Sequence, residues 1–185
     1  MKKLLFVFPI VALLAAGCNS SQQSSVQTQN TNHISTSTHP STKTQLDSPN
    51  WKTYNNTSLG FQIKYPPDWT YTNDGSLVVF YPPGGSGYTH FGDFTLGIQS
   101  NPKQLDLKTF YQAQDFNPFT QSSSQTDSTI NGYSAEKFIG IQANNNFDQY
   151  SVDMGSFIIE LTDNGQQHES DGLAATMANS ITASH

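Results

Sequence analysis

The chain contains no arginine and a single cysteine among its 185 residues. Arginine is the side chain that most often reads bases and that clamps phosphate or carboxylate groups through two hydrogen bonds. Beyond residue 17, six lysines stand against 14 acidic residues, which gives a net charge of −8. A nucleic-acid-binding protein needs a basic surface, so we do not expect nucleic acid as a partner. One cysteine also excludes an intrachain disulfide, so the folded part depends on its core for stability.

Long apolar runs are missing as well. The longest uncharged apolar stretch covers residues 4–16, and as a helix it would span roughly 20 Å, less than a bilayer core of about 30 Å. It follows the positive start Met1-Lys2-Lys3 and ends in small residues. This layout predicts a secretory signal peptide over residues 1–17 rather than a membrane-spanning helix.

Cys18 directly follows that stretch, in the sequence Ala15-Ala16-Gly17-Cys18. These four residues resemble the lipobox of bacterial lipoproteins, in which the signal is cut before the cysteine and the cysteine receives a diacylglycerol thioether and an acylated amino group. The resemblance implies cleavage after Gly17 and a domain held on the extracytoplasmic side of the cell membrane by lipid on Cys18. Two alternatives stay open: an ordinary signal peptidase could leave Cys18 as a free thiol, or Cys18 could pair with another chain.

Residues 18–50 are dominated by Ser, Thr, Gln and Asn, with Val26, Ile34 and Leu46 as the only aliphatic side chains. Such a segment cannot bury enough apolar surface to offset the entropy of ordering it. We therefore expect a disordered linker, whose reach as a flexible coil is roughly 30 Å.

From Trp51 the composition becomes rich in aromatics and turn residues, and residues 51–185 are expected to form one domain. Alternating or dense apolar patterns predict strands, and apolar residues spaced by three and four predict two helices that begin at the N-caps Asp106 and Asp171. Asn131-Gly132 predicts a two-residue hairpin turn. The expected strands cover 60–65, 76–81, 94–99, 126–130, 133–142, 147–154 and 157–162, and the expected helices cover 105–113 and 172–183.

The stretch from Tyr54 to Trp69, with Gly60-Phe61, Tyr65-Pro66 and Trp69 at its key positions, resembles the opening of the PsbP-like family. The hairpin at residues 130–138 and the stretch at 177–181 also fit that family. The resemblance implies an α+β fold in which an antiparallel sheet meander is flanked by helices, an α-β-α sandwich. Photosynthetic members assist a manganese cluster, but nothing in this sequence points to photosynthesis, and a fold alone does not carry a function.

The sequence offers few groups for catalysis or metal binding. It has no Gly-x-Ser-x-Gly motif, and the glycine-rich loop at residues 84–87 lacks the lysine of a phosphate-binding loop. Four acids on neighbouring predicted strands could hold a hard cation such as Ca²⁺ or Mn²⁺, but they lack the spacing of an EF-hand, and we favour a solvated acidic face. These acids are Asp148, Asp153, Glu160 and Asp163. We assign no catalytic residue, no metal ligand and no cofactor from the sequence.

Aromatic residues around the glycine-rich loop form a speculative ligand edge for a sugar or a peptide. They are Tyr81, Tyr88, His90 and Phe91. The alternative is that they only pack at the ends of the sheet.

These patterns favour a non-catalytic envelope lipoprotein that binds a protein, a wall polymer or a small ligand, or that assists assembly of an envelope complex. Two alternatives are kept. One is a hydrolase of envelope material, which would place His90 or His168 against a carboxylate in a deep pocket. The other is a domain that holds Ca²⁺ or Mn²⁺.

Overall fold

Two antiparallel sheets form the frame of the domain. The computed structural model describes residues 50–75, 77–85, 87, 92–142, 146–168 and 170–184. Gly17, Cys18 and the predicted linker before Asn50 lie outside the described residues. The described strands are β1 (Lys52–Asn56), β2 (Phe61–Tyr65), β3 (Thr70–Asn73), β4 (Leu77–Tyr81), β5 (Phe94–Ser100), β6 (Ser124–Ile130), β7 (Tyr133–Ile141), β8 (Phe147–Asp153), β9 (Phe157–Asn164) and β10 (Thr182–Ala183), and the helices are α1 (Leu107–Gln112), α2 (Pro118–Gln121) and α3 (Leu173–Asn179).

The larger sheet has seven strands in the order β3-β4-β5-β9-β8-β7-β6, and every neighbouring pair is antiparallel. Its second half is the predicted meander. Asn131 and Gly132 have φ values of 49° and 87° at the β6–β7 turn, as a type I′ hairpin requires. The smaller sheet has the order β1-β2-β10, in which the short strand β10 pairs antiparallel with β2.

Each face of the larger sheet has its own core. On one face, the smaller sheet and α3 bury a cluster that includes Phe61, Phe80, Phe94 and Met177. On the other face, α1 and α2 cover a smaller cluster around Tyr111, Phe138 and Ile158. The predicted α+β class, an antiparallel sheet with helices on both faces, is confirmed.

A β-bulge interrupts β7 opposite β8, where the register shifts between Phe138 and Ile141. Gly140 lies in this bulge with φ of 61°, and a Cβ added there would come within 2.6 Å of Ser123 Oγ. The bulge brings the Gly140 N–H to Asp148 Oδ1, which accepts a 2.8 Å hydrogen bond from it. Glycine is required at this position by both conformation and space.

The first predicted helix is confirmed, and Asp106 caps it by accepting a hydrogen bond from Thr109 N–H at 2.9 Å. The last helix differs from its prediction. It begins after Gly172, while Asp171 Oδ1 accepts the Leu173 N–H from one position earlier. It ends at Asn179 because the Ser180 hydroxyl donates to the Met177 carbonyl, after which residues 182–183 pair with β2.

Three short elements in the first half of the domain, β1, β3 and α2, coincide with no predicted strand or helix. Strand β3 has four exposed residues and pairs only with β4. Helix α2 spans one turn, capped by Asn117 with Pro118 at its first position, which is a common helix start.

Candidate ligand-binding groove

An open groove lies beside the β1–β2 turn and the edge strand β3. Its volume is about 600 Å³, within the range of small-molecule sites. We call it the β1–β3 groove. Its lining consists of Tyr54, Asn55, Asn56, Thr57, Ser58, Leu59, Tyr71, Asn73, Gly75 and Ile98.

Two exposed apolar side chains meet at this groove. Among the described residues, the large hydrophobic side chains that stay exposed are Leu59, at 41% of its surface, and Tyr71, at 39%. Both line the groove. Scattered exposed apolar residues need no explanation, but their concentration at one concave site marks a surface suited to binding.

Aromatic packing fixes the ring of Tyr71 in place. Its ring centroid lies 5.1 Å from that of Tyr54, 5.8 Å from that of Tyr65 and 5.9 Å from that of Phe80. The Tyr54 and Tyr65 contacts are edge-to-face, an arrangement favoured by the charge distribution of aromatic rings. Tyr71 is therefore exposed on the groove side and supported from beneath.

The carboxamides of the groove are held by short local hydrogen bonds. Asn56 Oδ1 accepts from Leu59 N–H at 3.1 Å, which shapes the β1–β2 turn. Asn73 Oδ1 accepts from Gly75 N–H at 2.8 Å, and Asn73 Nδ2 donates to the Tyr54 hydroxyl at 3.2 Å. The last bond joins β3 of the larger sheet to β1 of the smaller one, so the groove has two fixed walls.

The Tyr54 hydroxyl remains protonated under ordinary conditions. Burial raises the pKa of Tyr54 above the usual value of 10, against a smaller lowering by its hydrogen bond with Asn56. The groove thus presents neutral hydroxyl and amide groups, and none of its lining residues is charged.

The predicted ligand edge is described only at Tyr81. Tyr88, His90 and Phe91 lie outside the described residues. Tyr81 is half-buried at the end of β4, opposite Thr70, and does not line the β1–β3 groove. A Cβ on Gly85 or Gly87 would come within about 3 Å of the Tyr81 side chain, so both glycines allow the loop to pack on that ring.

The four acids that were considered as a cation site do not converge. Asp148 and Asp163 pair directly across β8 and β9 and are buried on the face that packs against the smaller sheet and α3. Glu160 pairs with Ser151 and lies on the opposite face, and Asp153 binds the Gly155 N–H at the end of β8. Neither the cation cluster nor the solvated acidic face is found, because strand alternation sends the acids to different faces and two of them are buried. In the described part of the chain, no group of three or more His, Cys, Asp or Glu side chains could hold a metal ion.

Burial raises the pKa of the Asp163 carboxyl, and the neighbouring Asp148 adds to the effect against opposing contacts from His168. Asp163 Oδ2 accepts a 2.9 Å hydrogen bond from the His168 N–H. This bond ties the end of β9 to the loop that leads into α3.

His168 lies against a carboxylate, as the hydrolase alternative required. Its Nδ1 is 2.8 Å from Asp171 Oδ2, and its Nε2 is 3.1 Å from the Gly92 carbonyl oxygen. The ring stacks on Phe94 and meets the edge of Trp69. Both ring nitrogens already have oxygen partners, and His168 does not line the β1–β3 groove.

A second polar cluster lies under α1. The Tyr111 hydroxyl donates to Glu160 Oε1 at 2.6 Å and lies 2.8 Å from Ser151 Oγ, while Gln149 Nε2 donates to both hydroxyl oxygens. Burial raises the pKa of Tyr111 strongly, so its hydroxyl stays a donor. This network fixes α1 on the sheet.

The described helices are all too short or too polar to cross a membrane. The fold and the groove define an α+β domain with an antiparallel sheet, helices on both faces and an uncharged groove beside β1 and β3. No protein-family model matches the chain, and no curated protein matches it by sequence.

Solved structures of similar shape include a cyanobacterial and a Bacteroides protein. One is the cyanobacterial PsbP protein CyanoP from Synechocystis sp. PCC 6803, with a TM-score of 0.48 and 13% identity over 74% of this chain and 94% of that chain. The other is a protein of Bacteroides thetaiotaomicron VPI-5482, with a TM-score of 0.47 and 17% identity over 74% of this chain. This chain spans 49% of the Bacteroides protein's length. Likenesses at this level identify no ligand, partner or activity.

Proposed function

We propose that this chain is a lipid-anchored, extracytoplasmic binding domain without catalytic activity, and that its ligand site is the β1–β3 groove. The observation that carries the groove assignment is the placement of Leu59 and Tyr71. A folded domain gains free energy by burying large apolar side chains, at roughly 25 cal/mol per Å². Leu59 and Tyr71 are large apolar side chains that stay exposed, and both lie on one concave surface that is supported by aromatic packing.

The proposed anchor rests on Cys18 and the small residues before it. Two or more acyl chains hold a protein stably at a membrane, whereas one chain binds marginally. A Cys18→Ser variant should lose labelling by a palmitate analogue and move from the membrane pellet to the supernatant. A Ser20→Ala variant should keep both properties. Retained label on Cys18→Ser would refute the anchor.

The proposed groove site is tested by hydroxyl-radical footprinting of the full-length protein in intact envelopes and after purification in detergent. We expect the side chains of Tyr71 and Leu59 to be oxidised more slowly in envelopes, where the ligand is present. Tyr133 and Leu105 are half-buried and do not line the groove, so they serve as internal controls and should react equally in both samples. Equal oxidation of Tyr71 and Leu59 in both samples would remove the groove assignment.

The hydrolase alternative has His168 with Asp171 as its supporting observation. A general base must reach the proton that it abstracts, and the Nε2 of His168 already contacts the Gly92 carbonyl oxygen. The β1–β3 groove, which holds the exposed apolar side chains, does not include His168. For these two reasons we favour binding over hydrolysis.

A further inference from the structure

The chemistry of the β1–β3 groove narrows the class of ligand. Its lining carries three carboxamides, from Asn55, Asn56 and Asn73, and the hydroxyls of Thr57 and Ser58, but no ionisable acid or base other than tyrosine. The neighbouring Lys52 donates its ammonium to the Trp69 carbonyl at 2.7 Å and lies over the Tyr65 ring. Lys52 does not line the groove, and its ammonium group already has these two partners within the fold.

An uncharged lining disfavours a charged ligand. A buried or half-buried ionic group needs a partner of opposite charge or several hydrogen bonds to the charged form. The groove supplies no counter-charge for a phosphate, a carboxylate or an ammonium group. Its ligand is expected to be neutral.

The carboxamides match ligands that are rich in hydroxyls. Each amide side chain offers both donors and an acceptor, and each sugar hydroxyl likewise donates and accepts. Asn56 and Asn73 are held by their bonds to Leu59, Gly75 and Tyr54, so they lose little freedom on binding. Asn55 is exposed, so its carboxamide is accessible to a ligand.

Tyr71 and Leu59 supply the apolar part of the site. A sugar ring presents hydroxyls at its rim and C–H groups on its faces, and those faces pack on aromatic and aliphatic side chains. The exposed Tyr71 ring, held by Tyr54 and Tyr65, offers such a surface next to the carboxamides. The groove is thus lined by both apolar and amide groups.

We propose that the β1–β3 groove binds a neutral oligosaccharide, with a sugar ring packed against Tyr71 and Leu59 and its hydroxyls bonded to Asn55, Asn56 and Asn73. This inference rests on the proposed function, which assigns the ligand site to the same groove. A peptide is the competing ligand, since β1 and β3 are edge strands. These edges have only five and four residues, so strand addition would gain few backbone hydrogen bonds.

The test uses the full-length ¹⁵N-labelled protein in detergent and four probes at millimolar concentration. Three are neutral hexasaccharides, of β-1,4-linked glucose, α-1,4-linked glucose and β-1,4-linked N-acetylglucosamine. The fourth is an uncharged nonapeptide of Ser, Thr and Ala. At least one hexasaccharide should shift the amide signals of residues 54–59 and 71–75 saturably, and the peptide should not.

Substitutions at Tyr71, Asn55 and Thr126 distinguish a loss of ligand contacts from a general effect on the fold. Tyr71→Ala should raise the Kd by about tenfold, equal to about 1.4 kcal/mol, and Asn55→Ala by about threefold to tenfold. Tyr71→Phe keeps the ring and should bind more tightly than Tyr71→Ala. Thr126→Ala, on the exposed edge strand β6 of the opposite end of the sheet, should change nothing.

Two outcomes would overturn the inference. One is the absence of a shift with any hexasaccharide, whether or not the peptide binds, and the other is oligosaccharide binding that survives both Tyr71→Ala and Asn55→Ala. Footprinting distinguishes these failures from failure of the proposed function. If Tyr71 and Leu59 are protected in envelopes while no hexasaccharide binds, the groove is a ligand site of another class.

Discussion

Asp148 and Asp163 lie directly opposite each other on β8 and β9, and both are fully or almost fully buried. Asp148 Oδ1 accepts hydrogen bonds from Gly140 N–H and Gln166 Nε2. Asp163 Oδ1 is buried without a hydrogen-bond partner. Two carboxyl groups on neighbouring strands repel each other when both are ionised, which identifies this pair as a source of pH-dependent stability.

The Asp163 carboxyl should destabilise the fold as pH rises. Its pKa is raised in the folded state, so the native protein binds a proton that the unfolded chain has lost, and stability falls as pH rises through the folded pKa. Asp163→Asn keeps an oxygen acceptor for the His168 N–H and removes the charge. We expect a higher Tm than the wild type at pH 8 and a smaller difference at pH 4, measured by circular dichroism. Asp115→Asn, at an exposed site, should leave the pH profile unchanged; a lower Tm for Asp163→Asn at pH 8 would contradict this account.

Strand register explains why the four acids do not form one cluster. Once Gly155 is taken as the turn between β8 and β9, Asp148 falls opposite Asp163 and Ser151 falls opposite Glu160. The alternation of Phe157, Ile159 and Leu161 then places Asp163 on the face that packs against the smaller sheet and α3, and Glu160 on the face that α1 and α2 cover. The turn was predicted correctly, so the register could have been derived from sequence.

The groove could not be derived in the same way. Strand β3 has the sequence Thr-Tyr-Thr-Asn with every residue exposed, so it lacks the alternation that identifies a half-buried strand. The groove also depends on how β1 of the smaller sheet meets β3 of the larger sheet, through the Asn73–Tyr54 hydrogen bond. No local pattern encodes a contact between two sheets. In the sequence, Tyr54 and Tyr71 only add to the aromatic content, and no local pattern predicts that their rings meet.

The Tyr111 network should make a measurable contribution to stability. Tyr111→Phe keeps the ring packing but leaves Ser151, Gln149 and Glu160 without their shared hydroxyl partner. Leaving buried polar groups unsatisfied costs about 1–3 kcal/mol, so the free energy of unfolding in urea should fall by that amount. Tyr71→Phe removes an exposed hydroxyl and is the matched control, with an expected change of less than about 0.5 kcal/mol. Equal stability of the two variants would show that the network contributes little.

The β6–β7 turn is linked to the end of α3 through Asn131. Its Nδ2 donates to the carbonyl oxygens of Asn179 and Ile181, at 2.9 and 2.7 Å. Asn131→Gly retains the positive φ but loses both bonds, at a cost of about 1–2 kcal/mol. Asn131→Ala loses the bonds and is also strained in the left-handed region, so it should cost about 1 kcal/mol more. Urea denaturation of both variants separates the two terms, and Asn131→Gly as stable as the wild type would exclude a role for the carboxamide.

Glu136 should titrate near neutral pH. Its side chain is 5% exposed on β7 opposite Asp127, and burial, followed by the contact with Asp127, raises its pKa to about 7. The folded protein then keeps a proton on Glu136 that the unfolded chain has lost, so stability should decline as pH rises from about 4.5 to about 7 and level off above that. Carbon-detected NMR of the side-chain carboxyls should show a Glu136 midpoint near 7 in the wild type and a lower one in Asp127→Asn. Glu136→Gln should flatten the decline of Tm over this interval, and a Glu136 midpoint below pH 5 would contradict the assignment.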